Sequence, residues 1–188
     1  MQAVIGIHFG HDSSAVVLIN GDIKLAIQEE RFSRVKNHTG FPILTLKYIK
    51  EFLDKNHIYE IDVAVGSAKY TEEEDVEIAL AISKLYKYKY NRVNDIIIKL
   101  FSLIYRKTIS PLFNSENIWR ILMKRRVSKL LKRKIKKIHF YDHHLCHAAS
   151  AFFCSGFKKS NILTLDGSGE DLTTMLCEAT GEKIKIVK

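Results

Sequence analysis

Short apolar runs broken by glycine and small polar residues open the chain. AVIGIHF, residues 3–9, predicts a strand, and Gly10-His11-Asp12-Ser13-Ser14 predicts a tight turn. Residues 15–19 predict a second strand. Asn20-Gly21-Asp22 is a strong hairpin signal leading to a third strand over 24–29. These three strands predict a small mixed or antiparallel sheet. From Phe41-Pro42 the apolar spacing becomes helical, with Leu44, Leu46, Ile49, Phe52 and Leu53 on one face. Residues 61–66 then read as a short buried strand.

Residues 72–135 differ in character. An acidic patch (Glu72, Glu73, Glu74, Asp75, Glu77) precedes long helix-compatible runs, and Pro111 marks a break near 108–115. The stretch predicts an α-helical insertion between sheet elements. Residues 136–141 are strand-like. Asp142 is a natural N-cap for a helix from His143 that stops near Gly156. Residues 161–165 predict a strand ending at a turn, Asp166-Gly167-Ser168-Gly169-Glu170. Further strands follow over 172–178 and 183–187. Strand, glycine turn with Asp, strand thus occurs twice, near 5–18 and near 162–177.

The 188 residues are 46% hydrophobic and 27% charged, with 2 Pro and 9 Gly. That is enough apolar matter for a core, and it excludes wholesale disorder and collagen-like repeats. Cys146, Cys154 and Cys177 have no close partner spacing, which argues against a disulfide framework or a Cys-type zinc site. The N-terminus lacks the basic region and cleavage site of a signal peptide, and no run approaches a membrane span. A reducing cytoplasm is the expected setting.

The net charge of +9 changes the picture only locally. Arg120 to Lys137 carries ten Lys or Arg and no acid, so the rest of the chain sums to −1. Ile121, Leu122, Val127, Leu130, Leu131, Ile135 and Ile138 recur at helical spacing through this run. It predicts a packed amphipathic helix with a basic solvated face. Nucleic acid, an anionic membrane surface or a partner helix are the alternative occupants of that face.

Four constellations carry candidate chemistry. In Asp142-His143-His144-Leu145-Cys146-His147, His143 and His147 stand at i and i+4 on one helix face, a spacing suited to a divalent metal. Surface or capping histidines are the bland alternative. In LTLDGSGED, residues 163–171, a strand delivers Asp166 to a glycine turn able to cradle phosphate, or to an ordinary hairpin. In GIHFGHDSSA, residues 6–15, His11 and Asp12 are a candidate base or metal-linked carboxylate. In EERFSRVKNHTGFP, residues 29–42, Arg31, Arg34 and Lys36 are candidate anion ligands, or parts of a solvated loop.

Together and in this order, GIHFGHDSSAVVL, EERFSRVKN…FP, DHHLCHAASAFFCSGF and ILTLDGSGE resemble the N-terminal part of the O-carbamoyltransferase family of antibiotic and nodulation-factor biosynthesis. The resemblance implies an α/β fold: an actin-like ATPase (ribonuclease H-like) lobe, with a mixed sheet flanked by helices and the helical insertion at about 72–135. It implies His143, His147 and Asp166 as ligands of a divalent metal, iron before manganese or zinc. Gly167, Ser168 and Gly169, with Lys36, would approach a nucleotide. Asp12, with His11, would sit near the acceptor hydroxyl. The implied reaction uses carbamoyl phosphate and ATP to form carbamoyl-adenylate, then moves the carbamoyl group to a hydroxyl of a small-molecule substrate.

Family members are much longer, with a second lobe and a C-terminal adenylate-forming domain. The expectation is therefore a lobe that is not competent alone, a fragment or one part of a split enzyme, with a separate chain as partner. Three competing expectations are a lobe of a tRNA threonylcarbamoyl transferase-like protein, a lobe whose site is vestigial, and a non-catalytic basic module that binds nucleic acid or a partner.

Overall fold

The computed structural model describes residues 2–66, 115–169 and 172–188. The chain divides into two compact units, residues 1–68 with 124–188, and residues 69–123. Most of the expected helical insertion, residues 72–114, lies outside the described residues.

Alternation decides the first sheet. Strands β1 (Ala3–His8) and β4 (Glu60–Gly66) bury every second residue, and β2 (Ser14–Ile19) does so at Ala15 and Val17. Ile5 is in register with Val17 on β2 and with Val63 on β4, so their side chains share one face. All three are fully buried. Helix α2 (Ile43–Lys55) packs on β2 and buries Leu46, Ile49 and Leu53. Strands β3 (Asp22–Gln28) and β5 (Lys134–Tyr141) complete the order β3-β2-β1-β4-β5. The β1–β2–β3 meander is antiparallel, while β4 and β5 run parallel to β1. The sheet is therefore mixed. The opposite face of β1 and β4 carries Gly6, His8, Ala64 and Gly66, and this face borders the site.

A short helix α1 (Glu30–Ser33) leads from β3 toward α2. Helix α3 (Ser115–Leu131) precedes β5, and helix α4 (His143–Ser155) follows it. Asp142 Oδ1 accepts the N–H of Leu145 at 3.1 Å, and Gly156 at φ +78° ends α4 in the left-handed conformation. The second sheet, β6 (Lys159–Gly169), β7 (Leu172–Thr180) and β8 (Lys183–Ile186), is an antiparallel meander. Ala148 and Phe152 of α4 pack on its Ile162, Met175, Cys177 and Ala179. The repeated pattern in the sequence thus corresponds to two meanders, one opening each sheet.

Two expectations are corrected. The basic run is not one amphipathic helix through Ile138: α3 ends at Leu131, Lys132 takes φ +50°, and Ile135 and Ile138 lie in β5 beside Ile61 and Val63. The exposed backbone edge of β4 captures this segment, and a long-range ladder overrides local helical spacing. The strand also starts at Lys134, inside the expected insertion boundary of 135. Within the run, Arg133 is buried, donating to the Ile58 carbonyl at 2.5 Å and to Asp54, and Lys136 pairs with Glu60 at 2.6 Å. The second correction concerns residues 167–169. They belong to β6 across an irregularity in the ladder between Leu165 and Gly169, so the strand does not end at Asp166.

Among the described residues, no helix is long and apolar enough to cross a membrane.

Candidate metal centre and its cavity

The helix brings His143 and His147 together, as their spacing requires. Their Nε2 atoms lie 3.0 Å apart. Strand β6 supplies a third donor across 23 residues of sequence: Asp166 Oδ2 lies 2.7 Å from His143 Nε2 and 3.4 Å from His147 Nε2. Asp166 is drawn well below the usual carboxylate range, to about 2, first by the His143 hydrogen bond and then by the N–H of Gly167 at 2.6 Å.

The donor set fits a cation. Three ligands held about 2.1 Å from one ion at right angles stand about 3.0 Å from one another, close to the three edges found here. Proton bookkeeping agrees. A neutral imidazole nitrogen either donates or accepts. If His143 Nε2 donates to Asp166, it has no lone pair left for His147 Nε2, which is still 3.0 Å away. Two lone pairs aimed at a cation remove the conflict. Nitrogen, nitrogen and carboxylate oxygen suit iron, manganese or zinc alike.

The triad opens onto a cavity of about 1090 Å³, at the upper end of small-molecule pockets. Its walls bring in His11, Asp12 and Arg31 from the first sheet and its loops. Asp12 Oδ2 meets His11 Nδ1 at 3.0 Å, and its backbone is left-handed at φ +56°. Arg31 also pairs with Glu30 at 3.5 Å. Lys36 is exposed and does not line the cavity, and the N–H of Gly167 is directed at its own neighbour Asp166. The side chain of Ser168 and those of the following residues to 171 lie outside the described residues, as does the turn at 170–171.

His8 and Cys146 also line this space, and the sequence reading assigned neither. His8 Nε2 donates to the His11 carbonyl at 3.0 Å, and burial lowers its pKa. The signal was available, since His8 shares its strand parity with Gly6, opposite the buried Ile7. A Cβ on Gly66 would stand 3.4 Å from the Cys146 Sγ, an ordinary contact distance, so the two residues adjoin across this space.

The family model for the carbamoyltransferase N-terminus matches residues 3–187. The chain belongs to that family. Nodulation protein NolNO of Sinorhizobium fredii is 28% identical over 177 residues, covering 94% of this chain and 22% of that protein. The uncharacterized protein sll1178 of Synechocystis is 30% identical over 190 residues, covering 98% of this chain and 28% of its own length. This carbamoyltransferase N-terminal chain therefore spans under a third of those relatives. A Ppx/GppA phosphatase from Aquifex aeolicus matches all of it and 51% of that phosphatase at TM-score 0.40 and 9% identity.

Proposed function

We propose that the chain is the N-terminal portion of an O-carbamoyltransferase, built as an actin-like ATPase lobe, with its metal centre at His143, His147 and Asp166. The observation that carries this reading is the convergence of those three donors, within 3.4 Å of one another, on a cavity shared with Asp12 and Arg31. The meander of β1–β2–β3 continued by parallel β4 and β5 supports the lobe assignment.

A divalent cation bound there supplies Lewis acidity toward a carbonyl oxygen. The remaining chemistry belongs to the chain's own groups. In the proposed reaction water cleaves carbamoyl phosphate to carbamate and phosphate. A carbamate oxygen attacks the α-phosphorus of ATP to give carbamoyl-adenylate as pyrophosphate leaves, and the hydroxyl oxygen of a small-molecule acceptor then forms the new bond to the carbamoyl carbon. The bond from that carbon to the adenylate phosphate oxygen breaks, and AMP leaves with the electron pair. Asp12, steadied by His11, takes or orients the hydroxyl proton. Arg31 holds an anionic group of the donor. Lys36 and the Gly167-Ser168-Gly169 backbone remain proposed nucleotide contacts, made together with further polypeptide that completes the enzyme.

The test is metal content. The purified chain is expected to carry or take up close to one divalent ion, and His143→Ala with His147→Ala to abolish it. Unchanged metal content in the double variant overturns the assignment.

A further inference from the structure

His144, the middle histidine of the DHHLCH run, is not one of the converging donors. Its side chain is fully buried. Both ring nitrogens are engaged, Nε2 at 3.0 Å from the Leu172 carbonyl oxygen and Nδ1 at 2.8 Å from Thr164 Oγ1. A carbonyl can only accept, so Nε2 carries the proton and Nδ1 accepts from the Thr164 hydroxyl. The Met175 carbonyl, 3.3 Å from that hydroxyl, is its more distant acceptor.

The placement of these bonds gives them consequence. His144 is adjacent to His143 on α4, and Thr164 stands two residues before Asp166 on β6. Leu172 opens β7. One imidazole therefore ties the helix bearing two donors to the strand bearing the third. The apolar contacts of Ala148 and Phe152 lie further along α4. They hold helix to sheet but are non-directional, so they leave sliding and rotation at the donor end poorly defined. Hydrogen bonds to a rigid ring are directional and remove that freedom.

We propose that His144 is a positioning residue of the metal centre, its two buried hydrogen bonds setting the separation between the His143–His147 pair and Asp166. This rests on the reading of those three side chains as metal ligands.

The experiment is a cobalt(II) titration of the 188-residue chain, followed by visible absorption, with far-UV circular dichroism as the check on folding. His144→Phe keeps the bulk and removes both bonds, and Thr164→Val removes one hydroxyl at constant shape. Each is expected to weaken cobalt binding about tenfold or more, the size typical of outer-shell changes, and to displace the absorption band. His144→Gln, whose amide N–H reaches toward the Leu172 carbonyl, is expected to recover part of the affinity. A purely structural role would lower the melting temperature alone. Wild-type affinity and spectrum in folded H144F or T164V overturns the proposal, and T164V decides it if H144F does not fold. His143→Ala separates the two levels. If that variant keeps cobalt, the ligand reading itself fails. If it loses cobalt while T164V and H144F keep it, only the positioning role falls.

Discussion

The Glu29 carboxylate accepts the backbone N–H of Thr45 at 2.7 Å across sixteen residues of chain. Its other oxygen accepts the N–H of Leu44 at 2.8 Å, and the residue is 2% exposed. Helix α2 begins after Pro42, which offers no side-chain cap. A residue just after β3 thus satisfies two orphan N–H groups and places negative charge at the positive end of the helix. Glu29→Ala is expected to lower stability by about 2–4 kcal/mol in urea denaturation, since one buried and one partly buried donor lose their acceptor. Glu29→Gln should cost nearly as much, because its amide nitrogen cannot accept. A loss under about 1 kcal/mol in the alanine variant would contradict the capping role.

Asp12 separates proton chemistry from metal binding. It holds φ +56°, which Asn tolerates and Ala does not. Asp12→Asn should melt within about 2 °C of the unsubstituted chain and keep its cobalt affinity, because Asp12 is not among the converging donors. Where carbamoyl transfer is reconstituted, the same variant should lower the rate about 100-fold or more. Loss of cobalt together with activity would remove the distinction between the two roles.

Acid should loosen the junction between α2 and β5. Asp54 is held below its ordinary 3.8, first by the Lys50 hydrogen bond and then by that of the buried Arg133. The unfolded chain takes up this proton first, so the stabilisation is complete above that ordinary value and is lost as pH falls through the folded one. Asp54→Asn should melt lower than the unsubstituted chain at pH 7, and the gap should close progressively below about pH 4. A gap that stays constant down to pH 2 would show that the charge of Asp54 is not what matters.

The first hairpin tests the local code. Asn20 and Gly21 take φ +53° and +89°, the two left-handed positions of a two-residue turn between β2 and β3. Gly21→Ala should cost about 1 kcal/mol in chemical denaturation, although a Cβ there meets nothing within 4 Å. No measurable loss would mean the turn relaxes into another type.

Much of the fold was legible because its signals are short-range. The meander β1–β2–β3 follows from strand alternation and the Asn20-Gly21 turn. The limits of α4 follow from Asp142 and Gly156, each acting on backbone groups within a few residues. The convergence of His143 and His147 was legible for the same reason, since 3.6 residues per turn stack i over i+4. Resemblance to a family, carried by four motifs in order, added Asp166 to that pair.

Other features depend on which surfaces meet. The sequence offered two incompatible readings of the end of the basic segment, a helical apolar spacing through Ile138 and a strand over 136–141. Pairing with the open edge of β4 decides for the strand and extends it to 134–141. Helical spacing paired His143 with His147 but said nothing of what His144 would meet. Packing on the second sheet buries His144 against Thr164 and Leu172 and leaves His143 and His147 facing Asp166. Glu29 read as part of a polar loop until α2 came down beside it. By itself the sequence determined the type of most elements and one face of one helix, because local backbone geometry carries that information over a turn or a hairpin. The tertiary structure alone decided which carboxylate caps a distant helix and which histidine is buried. Those outcomes depend on sheet pairing and helix packing between residues far apart in the chain, and no local period encodes them.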